Sequence, residues 1–393
     1  MGMPSTSGDW PSLGHDSMTW DSRYGAAAVR GARYDAAVPP FIVDRIPAPD
    51  AALVALSREA EAELIRFDAS LGDELAGFAP LLLRSEAAAS SQIEHLSASA
   101  RAIFSAEIGD TSRRNATEIV NNTRAMQSAL DLATELTPDS VREMHRVLMA
   151  GTNHTPGEWR REPVWIGTSA RSPVGAAFIA PRFERVASLM DDLMAFTRRN
   201  DLPVLTQVAI AHAQFETIHP FTDGNGRTGR ALVQSMLRGK GVTRAVTVPV
   251  SAGLLADVDS YHEALTSYRA GDVGPIVEQI SVASTDALVN ARVLVADLRQ
   301  LREQWVEAAK PRPGSQLSRL IAFALRQPVF TASAAADHLG IAAPNAYPHL
   351  RKLVELDILQ QKNEYKMGQV YRSDDVLRAV DHFAERAGRR QGV

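Results

Sequence analysis

The chain has 393 residues, of which 45% are hydrophobic and 22% are charged, and its formal net charge is -4 at pH 7. This length is two to three times that of a typical domain, and the composition is that of a globular protein, which excludes collagen-like, disordered and highly charged classes. The sequence contains no cysteine, which excludes a disulfide framework, thiolate metal sites and thiol catalysis.

The N-terminal region carries no targeting pattern. Its first twenty residues contain no Lys or Arg and lead into no apolar stretch, so a secretory signal is not expected. No apolar run reaches the roughly 18 to 20 residues that cross a bilayer. We therefore expect a cytoplasmic protein that does not enter a membrane.

Four regions are predicted along the chain. Residues 1–48 are rich in Gly, Pro, Ser and Trp without periodicity, which predicts an extended arm that packs only in part. Helical periodicity begins at Asp50 and predicts a helical region over 49–135 and a largely helical core over 136–309. The helices after the first are expected at about 75–106, 114–133, 138–150, 182–199, 203–218, 226–238, 255–269 and 273–308.

Two features interrupt this helical pattern. Short β-prone runs that contain Val164, Trp165, Ile166 and Gly167 and, further on, residues 177–179 predict a β-hairpin. The segment 310–314, with the sequence KPRPG, predicts a linker before a module over 315–393. That module has helical patterns at about 315–327, 331–339 and 346–356, followed by a small hairpin. From residue 311 onward, 12 Lys and Arg stand against 8 Asp and Glu, so the module is positive while the rest of the chain is negative.

The most distinctive segment is 219–230, with the sequence HPFTDGNGRTGR. Gly224 and Gly226 allow backbone conformations that turn successive N–H groups inward, and the helix that starts beside them adds the positive end of its dipole. Arg227 and Arg230 are three residues apart on this helix and therefore share one side, where they can clamp phosphate groups. The segment is thus predicted to bind an anion.

An acid and a base accompany the anion site. Asp223 offers the hard oxygen ligand that suits Mg²⁺, which usually binds one or two carboxylates together with nucleotide phosphates. His219 lies four residues before it and can accept a proton near neutral pH.

This segment resembles the motif of the Fic family, His-Pro-Phe-x-Asp/Glu-Gly-Asn-Gly-Arg-x-x-Arg, at every fixed position. The resemblance implies a protein adenylyltransferase, in which His219 deprotonates a Ser, Thr or Tyr hydroxyl of a target protein. The hydroxyl oxygen then attacks the α-phosphate of ATP and expels pyrophosphate. It also implies that Asp223 holds Mg²⁺ and that the residues binding the nucleotide are Gly224, Asn225, Gly226, Arg227 and Arg230, while Phe221 anchors the loop in the core.

A second pattern resembles the inhibitory motif of many Fic proteins, Ser/Thr-x-x-x-Glu-Gly/Asn. Here it reads Ser90 to Glu94 on a predicted helix, followed by His95 where the family has Gly or Asn. The resemblance implies that Glu94 pairs with Arg230 and so holds the γ-phosphate of ATP in an unproductive position.

The hairpin resembles the flap with which Fic enzymes pair an extended stretch of the target by β-augmentation. On this interpretation Val164, Trp165, Ile166 and Gly167 form the flap. The rim of the target groove would then include Trp159, Arg160, Arg161 and Trp165. The alternative is a minor insert that only covers helices.

The C-terminal module resembles a winged helix-turn-helix. Thr331 would cap the first helix of the pair, Gly340 would make the turn, and residues 345–355 would form the recognition helix. Pro348 is expected to end or kink a helix that spans it. DNA binding and a protein-interaction role both stay open, and Lys352, Lys362 and Lys366 are the candidate phosphate contacts.

The predicted fold is therefore a mainly α Fic-type helical bundle with a β-hairpin flap and a C-terminal winged helix-turn-helix. The predicted partners are ATP, a target protein that can be the chain itself, and DNA at the tail, and a homodimer stays open.

Two other functions also stay open: a DNA-binding regulator whose Fic domain senses nucleotide, and a Fic enzyme with another transfer activity or with de-AMPylation activity. The roles of three single residues also stay open. His212 and Glu216 either belong to a metal cluster or support the helix, and Tyr261 either contacts adenine or packs in the core.

Overall fold

The computed structural model of the chain is mainly α-helical, as predicted, and describes residues 10–20, 31–71, 75–167, 172–364 and 368–388. The helices are α1 Ala51–Ser70, α2 Leu75–Ile93, α3 Ala100–Glu107, α4 Arg114–Asp131, α5 Pro138–Leu148, α6 Val186–Thr197, α7 Val204–Ile218, α8 Asn225–Gly239, α9 Val250–Ala256, α10 Val258–Arg269, α11 Gly274–Ala309, α12 Gln316–Arg326, α13 Ala332–Leu339, α14 Ala343–Glu355 and α15 Asp374–Ala387. The strands are β1 Gly14–Thr19, β2 Arg33–Val38, β3 Trp165–Ile166, β4 Phe178–Ile179, β5 Val329–Thr331, β6 Gln360–Glu364 and β7 Gly368–Arg372. Across the described ranges no helix is both long enough and apolar enough to cross a bilayer.

The chain divides into two compact units that differ from the predicted regions. The first unit draws on residues 1–65, 124–243 and 257–283, and the second on residues 66–123, 244–256 and 284–393. Both units contain parts of more than one predicted region. Each unit joins segments that are far apart in sequence, which patterns of local periodicity do not reveal.

Helix α7 forms the centre of the first unit. All of its residues from Leu205 to Ile218 are buried, and α6, α8 and α10 pack against it. Its polar side chains find partners inside the unit: Gln207 Nε2 donates to the carbonyl oxygens of Phe196 at 2.6 Å and Arg199 at 3.0 Å. Because buried polar groups need such partners, the helix can lie in the core without a solvent-facing side.

The N-terminal segment is more ordered than the predicted arm. Strands β1 and β2 pair antiparallel with Gly14 opposite Val38, and the side chains of Trp20 and Ile42 are buried. The Asp192 carboxylate accepts hydrogen bonds from the amides of Ile42 at 2.7 Å and Val43 at 3.2 Å. The sequence did not predict this pairing, because the connection between the strands is far longer than the two-residue turn that marks a hairpin.

Two predicted helices are each broken into two. The stretch predicted as 75–106 forms α2 and α3, and Ser99 caps α3 by accepting a hydrogen bond from the Ala102 amide. The stretch predicted as 255–269 begins earlier, as α9, and continues as α10 after Asp257, which caps α10 through the Ser260 amide. In both places a side-chain cap starts the second helix.

The second unit is built around α2, against which α9, α12 and α15 pack. The buried Glu86 carboxylate of α2 accepts hydrogen bonds from the amide and the hydroxyl of Ser251 at 2.8 and 2.7 Å. Farther along the unit, the Arg84 guanidinium pairs with Glu107 at 2.6 Å and also contacts the side chain of Gln327. The C-terminal helices are thus part of the same unit as α2, whereas the sequence predicted a separate module after a linker.

The tail contains the predicted three helices and hairpin. Thr331 caps α13 through the Ala334 amide at 3.2 Å, and Gly340 ends it with φ of 68°, both as predicted. Strands β5, β7 and β6 form an antiparallel sheet in that order. Helix α14 runs through Pro348, so the proline does not end the helix. The hydrogen bond that Pro348 cannot donate would go to the carbonyl of Pro344, which lies in the exposed first turn of the helix and can face water.

Candidate active site

The predicted motif lies in the first unit, where α7 ends and α8 begins. His219 takes the left-handed conformation, with φ of 49° and ψ of 62°, and its amide donates to the carbonyl of Phe215 at 2.9 Å. Pro220 follows, and its missing N–H group and its ring disfavour a continuation of the helix. The imidazole is therefore attached to a turn of defined geometry that directly follows the buried helix α7.

Asn225 holds the loop in a closed shape. Its side-chain oxygen accepts a hydrogen bond from the Phe221 amide at 2.9 Å, and its side-chain nitrogen donates to the Phe221 carbonyl at 3.0 Å. Asn225, which the sequence predicted to bind the nucleotide, thus uses its side chain to hold the loop. Its backbone N–H lies at the start of α8. Gly224 has φ of 74°, and a Cβ there would lie 3.0 Å from Met149 Sδ and 3.1 Å from Leu148 Cδ2, so any other residue would be crowded and its backbone strained.

Phe221 is fully buried, as predicted, and its ring stacks on the ring of His145 with centroids 3.6 Å apart. His145 accepts a hydrogen bond at Nδ1 from the Gly157 amide at 2.9 Å, and its Nε2 lies 3.1 Å from the Asp223 carbonyl. These partners assign the proton to Nε2 in the neutral ring. Burial lowers the pKa of His145 to about 4, so the ring is neutral and supports the loop from α5. No sequence motif marks this histidine.

Helix α8 begins at Asn225 with Gly224 at its N-cap, and no side chain caps its first turn. Its first N–H groups and the positive end of its dipole therefore favour an anion. Arg227 and Arg230 are 6% and 2% exposed and lie three residues apart on this helix. Burial, and next the charge of Arg230, lower the pKa of His212 to about 3.

Asp223 lies at the open side of the loop, where its side chain is about half exposed. Its carboxylate is 3.8 Å from the Arg227 guanidinium and 3.5 Å from Nε2 of His154. His154 is a second histidine near the loop that the sequence did not single out, because it lies in an irregular segment without a motif. A carboxylate in this position is accessible to a cation that arrives with a phosphate ligand.

The alternative metal cluster at His212 and Glu216 is not formed. Nε2 of His212 lies 2.7 Å from the hydroxyl of Tyr261, and both side chains are buried. Among the described residues, no group of three or more His, Cys, Asp or Glu side chains is arranged to hold a metal ion. His212 and Tyr261 therefore support the packing of α7 against α10.

The predicted hairpin is present, with Trp165 opposite Ile179 and Ile166 opposite Phe178. Trp165 packs edge-on against Trp20, with ring centroids 5.6 Å apart, whereas Ile166 is 45% exposed. The two side chains point to opposite faces, as in any strand. The hairpin therefore has one face on the protein and one face open.

The structure contradicts the prediction that Arg160 lies on the rim of the target groove. Its side chain is 2% exposed, and its guanidinium donates to backbone carbonyl oxygens, including that of His219 at 2.8 Å. Trp159 packs against Phe221, with ring centroids 5.0 Å apart, and Arg161 is exposed. Arg160 is thus an internal part of the site.

The residues of the second pattern lie in the second unit. Ser90 is buried on α2, and Glu94 is exposed one residue beyond the end of that helix, so it is not on the helix as predicted. The amides of His95 and Leu96 donate to the carbonyls of Gln92 at 2.9 Å and Ser91 at 3.0 Å. With His95 in the left-handed conformation at φ of 61°, this is a Schellman helix end.

Residues 135–237 of the chain match the Fic/DOC family, and residues 54–131 match the N-terminal region of that family. Among curated proteins, the chain is 27% identical over 148 residues to protein adenylyltransferase fic-1 of Caenorhabditis elegans. It is also 27% identical over 187 residues to protein adenylyltransferase Fic of Drosophila willistoni. These matches cover 37% and 47% of this chain but only 27% and 35% of the relatives, so the chain spans about a third of the curated relatives it matches.

Among solved structures, a Fic family protein from Desulfovibrio desulfuricans G20 has a similar fold. The TM-score is 0.54 at 22% sequence identity, and the similarity covers 84% of this chain and 98% of that protein. At this identity the similarity concerns the fold alone.

Proposed function

This chain belongs to the Fic/DOC family through residues 54–131 and 135–237, and we propose that it transfers AMP from ATP to a Ser, Thr or Tyr hydroxyl of a protein. One observation carries the proposal. The His219 imidazole is attached to a fixed turn immediately before a helix start that favours anions and bears two buried arginines. A base beside a phosphate site is what nucleotidyl transfer to a hydroxyl requires.

His219 acts as the general base. It takes the proton of the target hydroxyl while the hydroxyl oxygen bonds to the α-phosphorus of ATP, and the bond from that phosphorus to the bridging oxygen breaks as pyrophosphate leaves. The left-handed turn at His219, held from behind by α7, keeps the imidazole in one place. Such positioning is a large part of catalysis in phosphoryl transfer.

The start of α8 binds the phosphates. The backbone N–H groups of Asn225 and Gly226 point along the helix axis toward the ligand, and the side chains of Arg227 and Arg230 supply positive charge from the same helix. Gly224 keeps the backbone open at this point, because any Cβ would meet Met149 and Leu148. The charge that develops on the leaving pyrophosphate is thus met by donors already in place.

Asp223 fits the Mg²⁺ that nucleotide transfer uses. It offers one partly exposed carboxylate beside the phosphate site, and Mg²⁺ typically takes one or two carboxylates together with substrate phosphates. Bound there, Mg²⁺ would neutralise phosphate charge.

The hairpin β3–β4 presents the target. Its strand β3 has β4 as its neighbour in a two-stranded sheet, and Ile166 offers an exposed apolar side chain. An extended target segment can add to such a strand through main-chain hydrogen bonds, while side-chain contacts select the sequence. We propose that Val164, Trp165, Ile166 and Gly167 serve as this flap.

The type of transfer is tested by the mass added to protein. The Glu94→Gly variant is incubated with ATP, UTP, GTP or CDP-choline and Mg²⁺, with His219→Ala as the control. The proposal expects addition of AMP from ATP and no addition by His219→Ala. Addition of UMP, phosphocholine or phosphate, or removal of AMP from a modified protein, would instead support a Fic enzyme with another activity.

Glu94 is proposed to restrain the enzyme by pairing with Arg230. The support is the sequence pattern from Ser90 to Glu94. In the structure, Glu94 is the last residue before the left-handed turn of a Schellman helix end, and it follows a buried Ser90. The family has Gly or Asn where this chain has His95. Those are the residues that tolerate φ of 61° best, and His95 adopts the same conformation here. His95 thus takes a conformation that Gly or Asn would also adopt at this position.

Removing the Glu94 carboxylate is expected to raise AMP transfer. We predict that Glu94→Gly and Glu94→Gln increase self-modification by about tenfold or more, because the Arg230 guanidinium would no longer pair with Glu94 and could bind the γ-phosphate. A tenfold change corresponds to about 1.4 kcal/mol. Radiolabel incorporation from ATP measures it, and the exposed Glu303→Gln variant on α11 is the control. Equal incorporation in all four proteins would disprove the restraint.

A second function at the tail is DNA binding, and the exposed side of α14 favours it. Tyr347 is 39% exposed, and Arg351 and Lys352 are exposed on the same helix. Lysine and arginine side chains on one helix can neutralise DNA phosphates. Lys362 is also exposed, and Lys366 lies outside the described residues.

The test is a DNA-binding titration at several salt concentrations. Lys352→Gln is expected to weaken binding and lower the salt slope by about 1, as for the loss of one phosphate contact. The control is Arg378→Gln on α15, where the arginine is exposed and pairs with Asp375. Absence of salt-dependent binding by the unaltered chain would exclude DNA and leave protein interaction as the role of the tail.

A further inference from the structure

A buried arginine joins the motif loop to the two ends of the hairpin. The Arg160 guanidinium donates to four backbone carbonyl oxygens in the first unit. Nε reaches His219 at 2.8 Å, Nη1 reaches Glu162 at 3.1 Å, and Nη2 reaches Pro181 at 2.5 Å and Ile218 at 3.4 Å. The Arg160 amide also donates to the Pro220 carbonyl at 3.0 Å.

All of these acceptors are main-chain carbonyls. Two of them, those of Ile218 and His219, lie at the end of α7, where the last carbonyls lack partners within the helix and the dipole is negative. Burial lowers the pKa of Arg160 to about 10, and the charges of Glu184 and Glu162 oppose this shift. The guanidinium therefore stays charged at neutral pH, and its planar fork matches several diverging acceptors better than an ammonium group can.

The first pair of bonds fixes the base. His219 is in a left-handed conformation that non-glycine residues rarely adopt, and such a conformation persists only where the surrounding structure holds it. Arg160 binds the carbonyl on each side of the His219 Cα, those of Ile218 and His219, and its amide binds the next carbonyl, that of Pro220. The direction of the imidazole thus depends on Arg160.

The second pair of bonds fixes the hairpin. Glu162 lies shortly before β3, and Pro181 lies shortly after β4. The same guanidinium therefore holds both stems of the proposed flap and the backbone of the proposed base.

We infer that Arg160 is a positioning residue that sets the distance between a target segment on the flap and the His219 imidazole. The inference rests on the proposed function. In phosphoryl transfer, a shift of about 1 Å between the reacting groups can lower the rate about a hundredfold. A loosened Arg160 should therefore slow the transfer step while leaving the binding of ATP at α8 intact.

The test compares Arg160→Lys and Arg160→Gln with Arg182→Gln, all in the Glu94→Gly full-length chain. The Arg182→Gln variant removes the same charge from the residue next to Pro181. Unlike Arg160, however, Arg182 is exposed and pairs with Glu184 at 3.3 Å. Two readouts are taken: kcat and KM for ATP in self-modification, and hydrogen exchange of the amides in residues 160–167 and 218–223. Arg160→Lys serves where Arg160→Gln fails to fold.

We expect the Arg160 variants to lose about tenfold to a hundredfold in kcat with KM for ATP changed by less than about twofold. Hydrogen exchange should speed up in both segments together, and Arg182→Gln should match its parent. An unchanged kcat in a folded Arg160 variant, or faster exchange spread evenly over the chain, would overturn the inference. If the parent chain transfers nothing, the proposed function fails, whereas the exchange measurement still tests the link between the two segments.

Discussion

Single side chains behind the motif loop determine its shape. Asn225 uses both polar atoms of its amide on the backbone of Phe221, and His145 supports the loop through Gly157 and the carbonyl of Asp223. The motif predicted that Asn225 matters, but a motif cannot distinguish a side chain that contacts a ligand from one that shapes a loop. His145 carries no signal in the sequence, since its role arises from a contact between α5 and a loop far along the chain.

The neutral state of His145 leads to a prediction about pH. Its pKa is about 4 in the folded chain against an ordinary value of 6.5, so the unfolded chain takes up the proton first as pH falls. Stability from this group is fully present above pH 6.5 and is lost as pH falls toward 4, in total about 3 kcal/mol. We predict that His145→Gln flattens the fall of the unfolding free energy over this window, measured by denaturant unfolding.

His382→Gln is the control for this measurement, because His382 is exposed on α15. It should keep the pH dependence of the parent chain. If His145→Gln and the parent lose stability in parallel between pH 6.5 and 4, His145 is not a buried neutral group.

At the level of elements, the close approach of α7 and α8 depends on Gly229, which occupies a variable position of the motif. A Cβ at Gly229 would lie 2.5 Å from Glu216 Oε1, 2.9 Å from Phe215 Cδ1 and 3.2 Å from His212 Nδ1. All three atoms belong to buried residues of α7. These α7 side chains pack so closely against α8 that a Cβ at this position would force them to shift.

We therefore predict that Gly229→Ala lowers the unfolding free energy by about 1 to 3 kcal/mol, the usual cost of overfilling a packed core. Thermal and denaturant unfolding would measure it. The matched control is Gly77→Ala on α2, where no heavy atom lies within 4 Å of the new Cβ and alanine favours the helix by up to about 1 kcal/mol. Equal stability of the two variants would show that the helices can separate without cost.

Elements with strong local signals were predicted well, whereas those set by distant contacts were not. Helices α7, α8 and α11 and the hairpin β3–β4 lie within one or two residues of expectation, because their periodicity and turn residues are local. The pairing of β1 with β2 and the break between α2 and α3 were missed. Strands β1 and β2 pair antiparallel across a long connection, which no local pattern marks. The break after α2 depends on His95 in the left-handed conformation, a conformation that sequence patterns associate with Gly or Asn.

At the level of the whole molecule, the chain is two units assembled from interleaved segments. Length and charge predicted more than one domain and a distinct tail, but the tail belongs to the unit that contains α2. The Ala100 amide donates to the Asp381 carboxylate at 2.7 Å, and the Asn290 side chain donates to the Phe383 carbonyl at 3.1 Å. These contacts join residues too far apart in sequence for any local pattern. The proposed inhibitory residue Glu94 thus follows a helix that packs directly against the tail.

The central claim is that His219 directs attack on the α-phosphate of ATP. It is tested by incubating Glu94→Gly with Mg²⁺ and ATP labelled with ³²P either at the α or at the γ position, beside the same variant carrying His219→Ala. We predict that the α-label becomes attached to protein, that the γ-label leaves with pyrophosphate, and that His219→Ala attaches neither. Attachment of the γ-label, or equal attachment of the α-label with and without His219, would contradict the proposed reaction.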